Sequence, residues 1–229
     1  MTKQSTKAVE FNKKYPLYKF RKIRMYAAWL SLIIVIWATK STDFGFLLGI
    51  PVMVAGEALR IWSHGYIVKS RRLATHGPYG YVRNPLYIGN FLIGLGFCVI
   101  LWNPIVVCVY TIGFFLAYTI TVKDEELRLF EYFGEEYRRY SSEVRRFVPK
   151  LKRYQDKNTE TFVSARIWNH GEHITLVALL FMVLVLYLRQ EWFERAGIVD
   201  GPLMILIIGT ILGLVILTVL WLRRYWFHK

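Results

Sequence analysis

Four long stretches of this sequence contain no charged residue, and their spacing constrains the fold more than any other feature. The charge-free runs cover residues 25–39, 84–122, 174–188 and 201–222. A helix needs about 20 apolar residues to cross a bilayer, and fewer when long basic side chains flank it. The pattern therefore predicts a chain that crosses a membrane several times.

The number of spans follows from where these runs are interrupted. The run 84–122 is too long for one helix, and the sequence "LWNPIV" in its middle is typical of a turn, which predicts a hairpin of two spans. A further apolar stretch carries Glu57 and Arg60 near its end. Together these features predict an all-α integral membrane protein with about six transmembrane helices, near residues 25–39, 44–62, 86–101, 104–122, 172–188 and 203–222.

The basic residues predict how the spans are oriented. The chain has a formal charge of +14, and nearly all lysines and arginines fall on one side if both termini are cytoplasmic. The outer loops then keep only Lys40, Arg189 and Arg195. This bias is typical of multi-pass proteins, and it explains the basic charge through anionic lipid headgroups, without a nucleic-acid partner.

The same pattern divides the chain into four parts. A basic cytoplasmic arm (1–24) precedes a core of four spans and a cytoplasmic helix (25–150), a polar linker (151–171) and two additional C-terminal spans (172–229). The cytoplasmic helix is expected to continue from the fourth span as an amphipathic helix. The expected apolar face consists of Leu127, Phe130, Phe133, Tyr137 and Tyr140.

Three places could carry chemistry. The stretch "HGPYGYVRNPLYIGN" (76–90) combines a turn with a proline at a helix start, where free N–H groups and Arg83 suit an anionic group such as a carboxylate. Glu125 and Glu126 are adjacent on a helix and point in different directions, so one can face inward and the other water. Glu57, Arg60 and His64 share one helix face. In each case a purely structural interpretation stays open: a capped helix, solvated charges and a Glu57–Arg60 ion pair.

Two weaker patterns do not predict a site. His170 and His173 flank Glu172, but further ligands are not evident, so no metal site is expected. "RIWSHG" (60–65) returns as "RIWNHG" (166–171) at the edge of another span. Interfacial composition explains this echo more simply than a true repeat does.

Two longer motifs resemble a known family. "GPYGYVRNPLYIG", followed later by "EELRLFEYFGEEYRRYSSEV", is similar to the integral-membrane methyltransferases, which include isoprenylcysteine carboxyl methyltransferase and the phospholipid methyltransferases. The matching positions are Gly77, Tyr79, Arg83, Pro85, Tyr87 and Gly89, then Glu125, Glu126, Leu129, Phe133, Gly134, Tyr137, Tyr140 and Val144. The resemblance covers roughly residues 45–150.

The resemblance implies a function and a set of site residues. It implies methyl transfer from S-adenosyl-L-methionine to a lipid or lipidated substrate at the cytoplasmic membrane face. Arg83 and Glu126 are the expected catalytic residues. The expected cofactor-binding residues are His64, Leu73, Ala74, Tyr79, Asn84, Pro85, Leu86, Tyr87 and Glu125.

Two departures from the family pattern leave alternatives open. Asn84 replaces a histidine, which removes any role for a titrating imidazole. Thr121 stands where the prenylcysteine enzymes have an arginine that recognises the substrate carboxylate, so a phospholipid or another amphiphile stays an alternative substrate. A reductase that uses NADPH, with Arg71 and Arg72 near its 2′-phosphate, and a non-catalytic membrane adaptor are the alternative functions.

Overall fold

The protein is described by a computed structural model over residues 39–67, 72–155, 160–191 and Gly209. Within these ranges the chain forms helices and no strand, so the all-α class holds for the described part. The helices are α1 (Asp43–His64), α2 (Pro85–Ile100), α3 (Pro104–Phe133), α4 (Glu135–Glu143), α5 (Ser164–His170) and α6 (Glu172–Arg189), and a 3₁₀ turn (Gly77–Gly80) precedes α2.

Three of the described helices are long and apolar enough to cross a membrane: α1, α3 and α6. The predicted span near 86–101 corresponds to α2, which has 16 residues and a length of about 24 Å. The predicted spans 25–39 and 203–222, the basic arm 1–24 and the chain termini lie outside the described residues, apart from Thr39 and Gly209. A count of six spans, the cytoplasmic termini and the four-part division therefore stay predictions.

Local sequence signals explain where these helices begin. Thr42 precedes α1, and its Oγ1 accepts a hydrogen bond from Gly45 N at 2.9 Å. Asn103 precedes α3, and its Oδ1 accepts from Ile105 N at 3.0 Å. Both side chains satisfy backbone N–H groups that lack a partner in the first helical turn. Proline occupies the first position of α2 and of α3, where its missing N–H removes no helical hydrogen bond.

Helices α1 and α2 pack against each other through glycine. A Cβ atom added to Gly49 would lie 2.5 Å from the carbonyl oxygen of Gly96, and one added to Gly56 would lie 2.7 Å from that of Gly89. Any larger side chain would therefore separate the backbones. Close approach through small residues is a common way for helices to associate in lipid, because the hydrophobic effect does not drive their contact there.

Helix α6 joins this pair through both apolar and charged contacts. Leu186 packs with Met53, Ile100 and Leu101 in one buried cluster. At the other end of α6, the carboxylate of Glu172 accepts from Arg60 Nη2 at 2.7 Å and lies 2.8 Å from His64 Nε2.

The charged residues predicted to share one face of α1 thus pair mainly with Glu172 of α6. Arg60 lies 3.5 Å from Glu57 and also donates to Asn90 Oδ1 on α2. The two similar segments, 60–65 and 166–171, are in contact here, because the rings of His64 and His170 are 4.7 Å apart.

The predicted amphipathic helix differs from the structure in two ways. It is divided at Gly134, whose φ of 53° ends α3 before α4 begins. The residues of the predicted apolar face have different surroundings, because Leu127 and Phe130 are exposed while Tyr137 and Tyr140 are buried. The break at Gly134 changes the helical phase, so a single periodic face does not continue from α3 into α4.

The segment predicted as a polar linker (151–171) contains ordered structure in its described part. Helix α5 occupies Ser164–His170. Before it, the backbone N–H of Tyr154 donates to Gly80 O at 2.8 Å. A polar composition did not signal either feature, because both depend on contacts with distant residues.

Because α1 and α2 are in contact through glycine, adding a single methyl group there is expected to destabilise the protein. Gly56→Ala is expected to lower the free energy of unfolding by about 1–3 kcal/mol, because overpacking must move α1 away from α2. Gly113→Ala is the control, since a Cβ there meets nothing within 4 Å. Thermal unfolding in one detergent measures both, and equal midpoints for the two variants would contradict the close contact.

Candidate functional site

A cavity of about 390 Å³ lies where the ends of the spanning helices meet the following loops. Its volume falls within the range of small-molecule sites. The wall combines the segment after α1, the 3₁₀ turn, the start of α2, the end of α3, and α4. The lining residues are Ile67, Arg72, Leu73, Ala74, Tyr79, Arg83, Asn84, Leu86, Tyr87, Glu125, Arg128, Leu129, Tyr132, Phe133, Tyr137 and Tyr140.

The turn that forms one wall depends on glycine. Gly77 has φ of 59°, a conformation that residues with a side chain rarely adopt, and a Cβ there would lie 2.3 Å from the ring of Tyr66. The turn is held to α4, because Tyr140 Oη donates to the carbonyl oxygen of Tyr79 at 2.8 Å. This contact brings the two sequence motifs together.

The start of α2 forms a second wall. Asn84 precedes the helix, but its side chain does not cap it; Nδ2 donates instead to the carbonyl oxygen of Arg146 at 3.2 Å. Leu86 and Tyr87, in the first helical turn, line the cavity. The first N–H groups of a helix lack intrahelical partners and favour an anionic group nearby.

Glu125 and Glu126 point in different directions, as their adjacent positions predict, but neither simply faces water. Glu125 lines the cavity and accepts a hydrogen bond from Tyr87 Oη at 2.6 Å. Glu126 turns away and accepts from Arg146 Nη2 at 2.5 Å, while Arg83 Nη1 lies 3.3 Å from its carboxylate. One carboxylate thus contributes to the cavity wall, and the other joins two arginines.

A segment after α4, which we call the strap (residues 144–155), covers the motif from outside. The backbone N–H of Arg83 donates to Arg145 O at 2.9 Å, and that of Lys150 donates to Tyr81 O at 2.9 Å. Together with the Arg146–Glu126 ion pair, these bonds fix the strap across the turn and the start of α2. Hydrogen bonding to Glu126 raises the pKa of Arg146, so its guanidinium stays charged.

Buried tyrosines surround this arrangement. Burial raises the pKa of Tyr137 to about 12, and the nearby carboxylate of Glu126 adds to the increase. Burial also raises the pKa values of Tyr79 and Tyr140. These phenols stay neutral at physiological pH and act as hydrogen-bonding groups and aromatic surfaces rather than as phenolate bases.

The structure brings most of the residues chosen from the sequence to this cavity. All of them line it except His64, Pro85 and Glu126. His64 contacts Glu172 and His170 instead, Pro85 is buried at the helix start, and Glu126 lies behind Arg83. The functional roles assigned to these residues stay predictions.

Sequence reasoning missed two arginines. Arg128 lines the cavity, and Arg146 holds Glu126. The position of Arg128, one helical turn after Glu125, could have revealed it. Arg146 gave no comparable signal, because its contact depends on the path of the strap.

Comparison with known proteins agrees with the two motifs. The model of the Isoprenylcysteine carboxyl methyltransferase (ICMT) family matches residues 44–131. Residues 44–131 form an ICMT-like segment. The segment includes α1, the turn, α2 and nearly all of α3, whereas α4, the strap and α6 follow it.

Curated relatives match the chain over a similar part, and the Mus musculus and Homo sapiens proteins share one name. Protein-S-isoprenylcysteine O-methyltransferase of Mus musculus is 33% identical over 116 residues, which are 45% of this chain and 41% of that protein. The Homo sapiens protein of the same name is 28% identical over 141 residues, covering 55% and 50%. Cobalt-zinc-cadmium resistance protein CzcN of Cupriavidus metallidurans is 32% identical over 117 residues, covering 50% and 52%. The chain spans about half the length of the curated relatives it matches.

The Arg146–Glu126 ion pair is expected to stabilise the contacts of the strap with the turn and with the start of α2. Arg146→Met is expected to cost about 1 kcal/mol locally, a value near that of an exposed pair because the Arg146 side chain is 35% exposed. Amide hydrogen exchange at Arg83 and Lys150 should then accelerate about fivefold.

Arg145→Met is the matched control for this experiment. It removes the same charge from an exposed neighbouring side chain and keeps the Arg145 carbonyl that accepts from Arg83. Equal exchange rates in both variants would show that the ion pair does not hold the strap.

Proposed function

We propose that this protein is a membrane methyltransferase that uses S-adenosyl-L-methionine and acts on a lipid-like or lipidated substrate at the cytoplasmic face. One observation carries the proposal. The residues of two separated motifs converge on one cavity at the ends of helices that are long and apolar enough to span a membrane.

The chemical groups around the cavity fit this cofactor. Its carboxylate suits the first turn of α2 and the cationic side chain of Arg83, whose Nε is buried without a hydrogen bond among the described residues. Its ammonium or its ribose hydroxyls suit the carboxylate of Glu125. Its sulfonium suits the faces of Tyr79 and Tyr87, through cation–π attraction of about 0.5–2 kcal/mol.

Bound S-adenosyl-L-methionine would supply an activated methyl group that needs alignment with an acceptor rather than a strong acid or base. Residues that hold both reactants in line supply the main catalytic effect, since positioning can contribute roughly 7–11 kcal/mol. We assign this role to Arg83 and Glu126. Glu126 fixes Arg83 at the cavity edge, and the surrounding tyrosines exclude water.

We propose only the class of the substrate, which is an amphiphile. The names of the relatives point to isoprenylated cysteine, and the apolar helices beside the cavity favour entry of the acceptor from the membrane. Thr121 has a neutral side chain, whose Oγ1 donates to Ala117 O within α3 at 3.0 Å, so it supplies no cation to recognise a carboxylate. Arg72 and Arg128 line the cavity together with Arg83, and their charge would attract an anionic substrate group.

The alternative of an NADPH-dependent reductase depends on a basic site for the 2′-phosphate. Arg72 lines the cavity, but its proposed companion Arg71 lies outside the described residues. The adaptor alternative does not need Tyr79, Arg83 and Glu125 to share one cavity. Direct comparison of S-adenosyl-L-methionine and NADPH binding to the purified protein separates these functions.

The two adjacent glutamates give a sharp test of the cofactor site. Glu125→Gln is expected to weaken S-adenosyl-L-methionine binding by about tenfold or more, because a hydrogen bond to a charged group contributes about 1.5–3 kcal/mol. Glu126→Gln should keep an affinity for the cofactor closer to that of the parent than Glu125→Gln does. Its turnover should be slower, because Arg83 loses its carboxylate partner. Glu136→Gln, an exposed change on α4, is the control.

Binding measured by calorimetry and turnover measured with labelled cofactor report these two effects separately. Parent-like affinity in Glu125→Gln would remove this residue from the cofactor site. Absence of saturable S-adenosyl-L-methionine binding to the parent protein would overturn the proposed function.

The acceptor can be identified by its labelled product. Purified protein with methyl-labelled S-adenosyl-L-methionine is expected to label an isoprenylated cysteine derivative, phosphatidylethanolamine or another component of a total lipid extract. Arg83→Met serves as the inactive control. Label that enters no lipid-soluble product, while cofactor binding is normal, would contradict a lipid-like substrate.

A further inference from the structure

The strap has an exposed apolar tip that contacts among the described residues do not explain. Leu151 is fully exposed, and Val148 is 58% exposed. Leu151 lies between Lys150 and Lys152, and the whole strap contains basic side chains but no acidic one. Exposed apolar residues beside basic ones are typical of segments that lie in the interface of an anionic membrane.

The base of the strap lies against the side of the protein that faces lipid. The ring of Phe147 is 6.4 Å from that of Phe115 on α3, in an edge-to-face arrangement. Phe115 belongs to the charge-free part of α3, beside Leu116 and Ile112, which are 67% and 62% exposed. The apolar tip therefore continues an apolar helix surface that lipid would cover.

The tip is held in place rather than hanging free. Lys150 N and Tyr154 N donate to the carbonyl oxygens of Tyr81 and Gly80 at 2.9 and 2.8 Å. The side-chain stem of Arg153 also packs over Gly80, since a Cβ added there would lie 2.8 Å from Arg153 Cγ. Leu151 and Lys152 are thus presented by a short loop whose two ends are anchored.

We propose that the strap is a membrane-surface element that binds anionic lipid. Val148 and Leu151 enter the boundary between headgroups and acyl chains, and Lys150 and Lys152 contact anionic headgroups. The other edge of the strap holds the backbone of Arg83 and the side chain of Asn84 through the carbonyls of Arg145 and Arg146. An anionic leaflet therefore stabilises the contacts of the strap with the start of α2.

A lipid surface suits this tip better than a second copy of the chain. Stable protein interfaces bury about 1,200–2,000 Å² in total, far more than two apolar side chains provide. Each basic side chain near an anionic leaflet instead adds a favourable contribution that does not require shape complementarity.

The test uses the full chain with both cysteines, Cys98 and Cys108, replaced by alanine. Leu151→Cys carries an environment-sensitive nitrobenzoxadiazole label, and Glu136→Cys, exposed on α4, carries the same label as a matched control. Each protein is placed, at one copy or at two copies per disc, in lipid nanodiscs of phosphatidylcholine alone or of phosphatidylcholine with increasing phosphatidylserine. Lipids with a nitroxide near the headgroup act as quenchers.

The label at 151 is expected to emit at shorter wavelength and to be quenched, while the label at 136 stays water-like. Phosphatidylserine should increase both effects, and replacing Lys150 and Lys152 with Gln should lower the equilibrium constant for insertion of the tip into phosphatidylserine discs by roughly fivefold per lysine. Amide exchange at Arg83 should slow as phosphatidylserine increases, and this slowing should disappear in the double-Gln variant.

Three results would overturn the proposal. A water-like label at 151 in every disc would show that the tip does not enter the membrane. An unchanged phosphatidylserine dependence in the double-Gln variant would show that these lysines do not bind the headgroups. A spectral shift found only in discs with two copies would assign the tip to a protein contact. None of these readouts requires methyl transfer, so failure here and failure of the proposed function are distinguishable.

Discussion

The close contact between α1 and α2 holds together the two helices whose adjoining segments form much of the cavity wall. Two pairs of glycines, Gly49 with Gly96 and Gly56 with Gly89, let one backbone approach the other so closely that no Cβ fits. Lipid is as apolar as the side chains, so shape rather than hydrophobicity selects this arrangement. It places the end of α1 beside the start of α2. The described part of the connection before α2 contains Gly77 and the 3₁₀ turn, whose Tyr79 forms part of the cavity wall.

Charged residues beside this contact are stabilised by pairing. Glu172 on α6 neutralises Arg60 on α1, and Glu126 on α3 lies between Arg83 and Arg146. A charge removed from water without a partner would be costly, so each of these groups restricts where its partner lies. The first pair connects α6 to the ICMT-like segment, and the second connects the strap to it. Ion pairs thus hold α6 and the strap, which follow the matched residues 44–131, to the ICMT-like segment.

Much of the site could be predicted from the sequence, because its signals are local. Proline at the first position of α2 and of α3 marked the helix starts, and the two motifs named residues that share one cavity. The missed features depend on distant contacts. The expected cofactor role of His64 stays a prediction, but the sequence did not indicate its contact with Glu172, which lies on a helix far along the chain. No periodic pattern in α1 could reveal that pairing, and none near the strap could reveal Arg146.

The different surroundings of Glu125 and Glu126 connect the proposed cofactor site to the proposed membrane-surface strap through one helix. Adjacent residues on a helix differ by about 100° in direction, so α3 presents one carboxylate to the cavity and the other to the strap. Tyr87 orients the first, and Arg83 and Arg146 hold the second. Movement of the strap would change the partners of Arg83 without displacing Glu125. In the proposed enzyme, cofactor binding and alignment of the acceptor would therefore depend on separate contacts, and only the second would depend on the strap.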